Sequence, residues 1–206
     1  MKKSTLYIIA IASLLLGLTG SWLMQTTQPI KLEAGRFFDD QAKVLADFEL
    51  RDKNNQPLGK SQLAGKWNLL FFGYTHCPDI CPVSLQALAD MIEAIDDRDV
   101  RDAIQVTFVS VDPDRDTPQL LKTYVEYFNP DFQGATAALS ELSKLTAAIG
   151  IAHQLEKTSE NQTGYLVSHS GVIVLLNPKA EFAGIFSAPH DGLVMARDMT
   201  KIIEHD

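Results

Sequence analysis

The stretch WNLLFFGYTHCPDICPVSLQAL, residues 67–88, decides the fold. Its first eight residues, 67–74, form a short and almost continuously apolar run, which is typical of a strand buried on both faces. Apolar residues then recur at helical spacing from Leu85 to Ile95, and a proline such as Pro82 suits a first helical turn. The stretch therefore predicts a buried strand that leads, through a loop with two cysteines, directly into a helix.

The alternation of strands and helices continues toward the C-terminus. Such alternation predicts a parallel core joined by right-handed crossovers, and the last two strands predict an antiparallel hairpin around the turn 177–180. We therefore expect an α/β fold with a thioredoxin-like central mixed sheet and flanking helices. The elements expected downstream are a strand over 104–111, helices over 117–128 and 140–149, strands over 165–176 and 181–187, and a final helix over 191–204.

Size, charge and cysteine content exclude several protein classes. The chain has 206 residues, of which 46% are hydrophobic, so it is long enough for one globular domain with a full core. Its formal net charge of −8 argues against a protein that binds nucleic acid through a basic face. Two cysteines, Cys77 and Cys81, are too few for a disulfide-rich scaffold or for a four-cysteine zinc or iron–sulfur site.

The N-terminus carries an apolar run that predicts a membrane anchor. The 19 residues 6–24 contain no charge, and a helix of that length spans about 28 Å, close to the hydrocarbon core of a bilayer. Lys2 and Lys3 precede the run, so the positive-inside rule places the N-terminus in the cytoplasm. A cleaved signal peptide is the alternative, although its one small-residue site, at 19–21, is followed by further apolar residues.

These features divide the chain into four expected regions. Residues 1–5 are expected in the cytoplasm, 6–24 as a single transmembrane helix and 25–40 as a linker. Residues 41–206 are expected to form the globular domain on the extracytoplasmic, periplasmic side of the inner membrane. The chain is thus expected to be a single-pass membrane protein.

Cys77 and Cys81 lie where the buried strand leads into the helix, a position at which α/β sheets place their chemistry. The N-terminus of the helix favours the thiolate form, which binds metals or attacks disulfides. The i, i+4 spacing lets both sulfurs face one way, and two thiolates form half of a low-coordinate site that suits Cu(I). A redox pair and a structural disulfide are the alternatives, but a bridge over so short a loop constrains little of the unfolded chain.

A metal site of this kind needs a further ligand, and the chain offers five histidines. His169 lies on the late hairpin, which would start near the cysteine loop in a thioredoxin-like fold, so it is the favoured third ligand. His76, directly before the first cysteine, is a weaker candidate because neighbours on a loop point in different directions, and His190 is another. The remaining two, His153 and His205, are expected to be structural or at the surface.

Three motifs together resemble the Sco/SenC family of membrane-anchored copper-binding proteins. The motifs are FFGYTHCPDICPVSL at 71–85, VSVDPDRDTP at 109–118 and YLVSHSGVIVLLNP at 165–178. They occur in the family's order, and the resemblance covers the anchor and nearly all of residues 40–205. One departure is Ser168, since the family often has Asp immediately before its histidine.

The resemblance implies a thioredoxin-like domain that binds copper, as Cu(I), Cu(II) or both, through Cys77, Cys81 and His169. It implies a metallochaperone, not an enzyme, that helps to assemble the CuA centre of cytochrome c oxidase. The implied partners are the CuA-bearing subunit II of the oxidase and an extracytoplasmic thiol reductant or copper donor. An acid that the family places near the metal corresponds to Asp112, and Arg115 is expected to form an ion pair or to contact a partner.

Other functions compete with copper delivery. An extracytoplasmic thiol–disulfide reductase would use Cys77 to attack a disulfide and Cys81 to resolve it, which leaves His169 incidental. A peroxiredoxin-like peroxidase fits less well, because that chemistry uses a single thiolate of low pKa. A redox or copper sensor that acts through a partner is a further alternative. Oxidation of the cysteine pair to a disulfide is expected to release copper, since oxidised sulfurs cannot serve as thiolate ligands.

Overall fold

The structure, a computed structural model, describes residues 7, 11–17, 30–38, 41–151, 153–157, 165–169 and 171–205, with the backbone alone for 153–157 and 165–169. The chain divides into two compact units, Met1–Lys31 and Leu32–Asp206. Within the described residues, no helix is long and apolar enough to cross a membrane. The anchor predicted at 6–24 lies mostly outside the described residues, and its described part includes the helical residues 11–17.

A mixed sheet forms the centre of the unit Leu32–Asp206. The strands of this unit, as far as the chain is described, are β1 (Gly35–Phe37), β2 (Leu50–Asp52), β3 (Pro57–Leu58), β4 (Trp67–Gly73), β5 (Ile104–Ser110), β6 (Gln133–Thr136), β7 (His153–Lys157), β8 (Tyr165–His169), β9 (Ile173–Leu176) and β10 (Phe182–Phe186). The helices described in this unit are α1 (Lys60–Leu63), α2 (Ile80–Ala94), α3 (Arg98–Asp102), α4 (Pro118–Phe128), α5 (Leu139–Ile149) and α6 (Gly192–His205). The main sheet has the order β1-β10-β9-β4-β5-β6-β2-β3, and β7 pairs with β8 in a second sheet.

The centre of the main sheet is parallel and its outer pairs are antiparallel. β4 pairs in parallel with β5, with Trp67 opposite Ile104 and Gly73 opposite Ser110, and β5 pairs in parallel with β6. On the other side of β4, β9 is antiparallel to it, and β10 is antiparallel to β9. The predicted mixed α/β sheet with flanking helices, a parallel core and a terminal hairpin is confirmed.

Burial on both faces of the sheet explains the continuous apolar run of β4. Leu69 and Phe71 belong to one apolar cluster, to which α2 and α6 contribute. Leu70 and Phe72 belong to a second cluster on the other face, to which α5 contributes. The two pairs alternate along the strand because successive side chains of a strand point to opposite faces. This two-sided core fixes the end of β4, from which the cysteine loop starts.

The helices that flank the site begin close to the predicted residues. α2 begins at Ile80, one residue before the second cysteine. α4 begins at Pro118, and the hydroxyl of the preceding Thr117 accepts a hydrogen bond from the N–H of Leu120. Proline at the first position and threonine as the cap are the features that predicted this start.

The strand predicted over 165–176 is in fact two strands, which is a correction. β8 pairs antiparallel with β7, with His169 opposite His153, whereas β9 begins at Ile173 and belongs to the main sheet. The polar residues SHSG, at 168–171, interrupt the apolar run, but this local pattern does not show that its two halves pair in different sheets. Gly171 lies between the two strands.

Among the strands of the main sheet that were not predicted are β6 and β1. β6 has the sequence QGAT, with a single β-branched residue, and its strand propensity is low. It pairs with β5 and β2, so the sheet rather than local preference determines its conformation. β1 lies within the segment 25–40 that was predicted as a linker, and it pairs antiparallel with β10. The folded part therefore extends into that segment.

Candidate metal centre

The two cysteines lie at the carboxyl end of β4, in the loop that leads into α2. Cys81 is the second residue of α2 and is fully buried, whereas Cys77 is partly exposed. Gly73, the last residue of β4, lies next to Cys81, since a Cβ atom at this glycine would be 2.6 Å from the Cys81 Sγ. A residue without a side chain thus lets the sulfur pack closely against the end of the strand.

The two thiols contact each other. A hydrogen bond joins the side chains of Cys77 and Cys81, and this bond, together with burial, raises the pKa of the Cys81 thiol. A hydrogen bond with the Tyr74 backbone opposes the rise in pKa, whereas the negative charge of Asp116 adds to it. Cys81 is therefore protonated at neutral pH, and a metal ion that binds its sulfur displaces this proton.

Asp116 fixes the segment that precedes the cysteines. Its fully buried carboxylate accepts hydrogen bonds from the Thr75 N–H at 2.9 Å and from the Thr75 hydroxyl at 2.6 Å. It accepts a further hydrogen bond of 2.6 Å from the hydroxyl of Ser110, the last residue of β5. Charge-assisted hydrogen bonds of this kind are stronger than neutral ones. They connect the cysteine loop to the end of the neighbouring strand.

Asp112 and Arg115 form an ion pair beside this network. The Arg115 Nε donates a hydrogen bond to the buried Asp112 carboxylate, and the guanidinium lies 5.5 Å from the ring centroid of Tyr74. The expected ion pair of Arg115 is therefore present. The carboxylate that bonds the cysteine loop, however, belongs to Asp116, which the sequence analysis did not single out. The sequence does show three acids in the motif DPDRDTP, but the geometry of the turn determines which of them faces the cysteine loop.

His169 is the last residue of β8, two residues before Gly171. β8 runs near β4, and a Cβ atom at Gly171 would lie 3.3 Å from the side chain of Ile80, which precedes the second cysteine. The structure thus brings the backbone after β8 beside the loop that carries both cysteines. The side chain of His169 lies outside the described part of the chain, so its role as the third ligand stays a prediction.

Two other histidines lie near this end of the sheet in different surroundings. The His76 side chain is 57% exposed, and its Nδ1 lies 3.0 Å from the hydroxyl of Thr75 and 3.9 Å from the Asp116 carboxylate. The Nδ1 of His190 lies 3.0 Å from the hydroxyl of Ser84, and burial lowers the pKa of this histidine. The environment of His190 favours a neutral ring that packs in the structure, whereas His76 lies at the surface beside the first cysteine.

The chemistry of the donors fits a soft metal ion. Among the side chains that the structure describes, no group of three His, Cys, Asp or Glu residues is arranged to hold a metal. The two sulfurs offer soft ligands, which suit Cu(I), and an added imidazole also suits Cu(II). Mg²⁺ and Ca²⁺, which take oxygen ligands, fit such a donor set poorly.

Known proteins similar to this chain match it over most of its length. The SCO1/SenC family matches residues 38–204. A SCO2-like protein of Rickettsia felis is 31% identical over 185 residues, which cover 88% of this chain and 89% of the relative. The structure of Arabidopsis thaliana ScoI with copper bound has a TM-score of 0.71 and 31% identity, over 78% of this chain and 99% of that one. The structure of Bradyrhizobium japonicum ScoI with copper bound has a TM-score of 0.68 and 30% identity, over 77% of this chain and 98% of that one.

Proposed function

The chain belongs to the SCO1/SenC family, and we propose that it binds copper and delivers it during the assembly of cytochrome c oxidase. The observation that carries the proposal is the contact between the thiols of Cys77 and Cys81 at the end of the central strand. Two thiol ligands next to a surface loop suit an ion that must be both bound and released. Relatives with a similar fold have been solved with copper bound, which supports the same ligand here.

The proposed copper ligands are Cys77, Cys81 and His169, on a domain of the thioredoxin-like type. The approach of Gly171 to Ile80 supports this set, because Gly171 follows the histidine by two residues and Ile80 directly precedes Cys81. Two sulfurs stabilise Cu(I), and one imidazole allows the same site to accept Cu(II). Asp116 supports the site indirectly, because it bonds the loop that positions the first cysteine.

Delivery is a ligand exchange and needs no catalytic turnover, so we propose that the protein is a metallochaperone rather than an enzyme. The partial exposure of Cys77 supports this, since copper can pass to another protein only through a ligand that the partner can reach. The proposed recipient is the CuA-bearing subunit II of the oxidase. The proposed location is the periplasmic side of the inner membrane, with residues 6–24 as the anchor.

Anaerobic titration of the reduced full chain with Cu(I), in competition with the chelator bicinchoninate, tests the proposal. We expect one copper ion per chain. Cys77→Ala and Cys81→Ala should each weaken binding more than about a hundredfold, because even partners of metal ligands contribute up to that factor. Cu(II) bound to the parent should give an intense thiolate charge-transfer band. Equal Cu(I) affinity of the parent and both cysteine variants would show that the pair is not the copper site.

A pair of histidine variants tests the proposal that His169 is the third copper ligand. His169 and His153 lie opposite each other across β7 and β8, so their backbone environments are similar. His169→Ala should leave a weaker site with altered Cu(II) absorption and electron paramagnetic resonance spectra, whereas His153→Ala should bind copper like the parent. If the His169 variant keeps the parental spectra, the third ligand is another group.

A thiol–disulfide reductase is the second candidate function. The observation in its favour is the arrangement of a partly exposed thiol, Cys77, in contact with a buried one, Cys81. The exposed thiol could attack a partner's disulfide, and the buried thiol could then resolve the mixed disulfide. His169→Ala separates the two functions, because it should impair copper binding and leave the reduction of a model disulfide unchanged.

A further inference from the structure

We infer that His76 is a capture ligand for copper, which binds the incoming ion before the two cysteines enclose it. The inference rests on the proposed function and concerns how copper reaches the site rather than where it finally lies. His76 directly precedes Cys77, in the turn between β4 and α2, and its imidazole is 57% exposed. It is separate from the proposed resting ligands Cys77, Cys81 and His169.

Hydrogen bonds around Asp116 determine which ring nitrogen of His76 carries the proton. The N–H of Asp112 donates to the Ser110 hydroxyl at 3.1 Å, and Ser110 donates its own proton to the Asp116 carboxylate. Thr75 donates both its N–H and its hydroxyl proton to the same carboxylate. A hydroxyl has one proton, so the Thr75 oxygen, 3.0 Å from the His76 Nδ1, acts there as an acceptor. The proton of the neutral ring is therefore on Nδ1, and Nε2 carries the lone pair.

An imidazole in this state is prepared for metal binding. Histidine ligands commonly donate their second ring N–H to a carboxylate or another oxygen, which fixes the tautomer and the orientation of the ring. The Thr75 hydroxyl plays that part for His76, and the Asp116 carboxylate behind it lies 3.9 Å from the same Nδ1. The ring is exposed, so a copper carrier can contact the imidazole that carries the Nε2 lone pair.

Exposure falls along the path from His76 to the buried cysteine. The His76 side chain is 57% exposed, Cys77 is partly exposed and Cys81 is 0% exposed. A carrier molecule can therefore contact the imidazole and the first sulfur, but not the second sulfur, which packs against Gly73. The ion therefore needs a ligand at the surface before it reaches the buried sulfur, and His76, directly before Cys77 in the chain, supplies one.

The exchange consists of ligand substitutions without electron transfer. Cu(I) arrives on a carrier, and the Nε2 lone pair of His76 forms a bond to the ion as one carrier ligand leaves. The thiol of Cys77 and then that of Cys81 bind through sulfur, and each gives its proton to the solvent. The remaining carrier ligands and the His76 nitrogen dissociate as these bonds form. Copper stays in the Cu(I) state throughout.

The test is a stopped-flow measurement of Cu(I) transfer from its bicinchoninate complex to the reduced full chain. His76→Ala should slow transfer about tenfold, in line with the contribution of a supporting group at a metal site. Its equilibrium affinity for Cu(I), measured with the same chelator, should match that of the parent. Thr75→Val keeps the imidazole and loses the hydroxyl, so it should also slow transfer, whereas Thr75→Ser should transfer like the parent. His205→Ala is the control for removal of a distant imidazole.

A second measurement needs no copper. The ¹⁵N chemical shifts of His76 in the metal-free chain should show the proton on Nδ1 in the neutral ring. A ring protonated mainly on Nε2, or transfer at the parental rate by His76→Ala, would overturn the inference and leave the proposed function in place. A fall in equilibrium affinity as large as the fall in rate would make His76 a resting ligand and would also overturn it. A parent chain that binds no copper would overturn both proposals.

Discussion

The Sγ atom of Cys81 lies 2.6 Å from the position that a Cβ atom would occupy at Gly73. The ring of Phe108, on the neighbouring strand β5, lies 2.8 Å from the same position. Both distances are shorter than a carbon atom tolerates, and both neighbours are buried. The absence of a side chain at residue 73 therefore determines how closely the buried sulfur approaches the sheet.

Gly73→Ala should displace the Cys81 sulfur and weaken copper binding. Overpacking of a buried position costs about 1–3 kcal/mol, so the free energy of unfolding should fall by this amount. Urea unfolding and Cu(I) competition on the same preparation measure the two effects.

Gly184→Ala is the matched control, because its Cβ atom would lie 2.5 Å from the carbonyl oxygen of Arg36, away from the cysteines. It should lose comparable stability and keep the parental copper affinity. If Gly73→Ala also keeps the parental affinity, the position of the Cys81 sulfur does not depend on this glycine.

Asp116→Asn should destabilise the domain, because the buried carboxylate accepts from three donors. The amide has one acceptor oxygen and adds two N–H donors, so at least one buried donor loses its partner, at a cost of about 1–3 kcal/mol. The free energy of unfolding from urea denaturation measures the change. Asp114→Asn, at an exposed position of the same turn, should change it by less than about 0.5 kcal/mol. A similar effect of both substitutions would contradict the role given to Asp116.

Local sequence patterns were sufficient to predict the elements that have a clear signal of their own, such as a buried strand or a capped helix. The apolar run of β4 and the cap Thr117 each specify one element, and both lie in the structure where the sequence predicts them. β6 depends on a partner strand rather than on its own residues, so no local pattern could reveal it. The break between β8 and β9 was missed for the same reason, because the pairing of each strand with a different sheet is a property of the whole fold.

The candidate site was predictable to a similar extent. The spacing of Cys77 and Cys81 after a buried strand was sufficient to place them together at the start of a helix. The role of Asp116 was not predictable, since Asp112, Asp114 and Asp116 look alike in sequence. The turn that follows β5 buries the first and the third and exposes the second. A backbone hydrogen bond of 3.0 Å, from the N–H of Asp116 to the carbonyl of Asp112, closes this turn and brings both residues to its buried side.

Alkylation should distinguish the two cysteines of the reduced, metal-free chain. Cys77 is partly exposed, whereas Cys81 is 0% exposed and its thiol pKa is raised by the hydrogen bond to Cys77 and by burial. Iodoacetamide reacts with exposed thiolates, so it should modify Cys77 at least about ten times faster than Cys81. Peptide mass spectrometry at several reaction times measures both rates. In urea the two rates should become similar, and a faster reaction of Cys81 in the folded chain would contradict the burial described above.

The ion pairs of Glu33 should make stability depend on pH in an acidic window. The Glu33 carboxylate lies 2.9 Å from Arg197 and 3.3 Å from Lys201, both on α6, and hydrogen bonds to these two residues lower its pKa from 4.5 to about 2. The unfolded chain therefore takes up this proton at a higher pH than the folded chain. The contribution of the ionised carboxylate is fully present above pH 4.5 and is lost as the pH falls toward about 2.

Glu33→Gln should accordingly be less stable than the parent at about pH 6 and equal to it near pH 2. The difference in the midpoint of urea unfolding should stay constant above pH 4.5 and shrink steadily below it. Glu204→Gln removes an exposed acid from the same helix and should show no such change with pH. A Glu33→Gln difference that is the same at both ends of the window would mean that these ion pairs do not stabilise the contact between the N-terminal segment of the domain and α6.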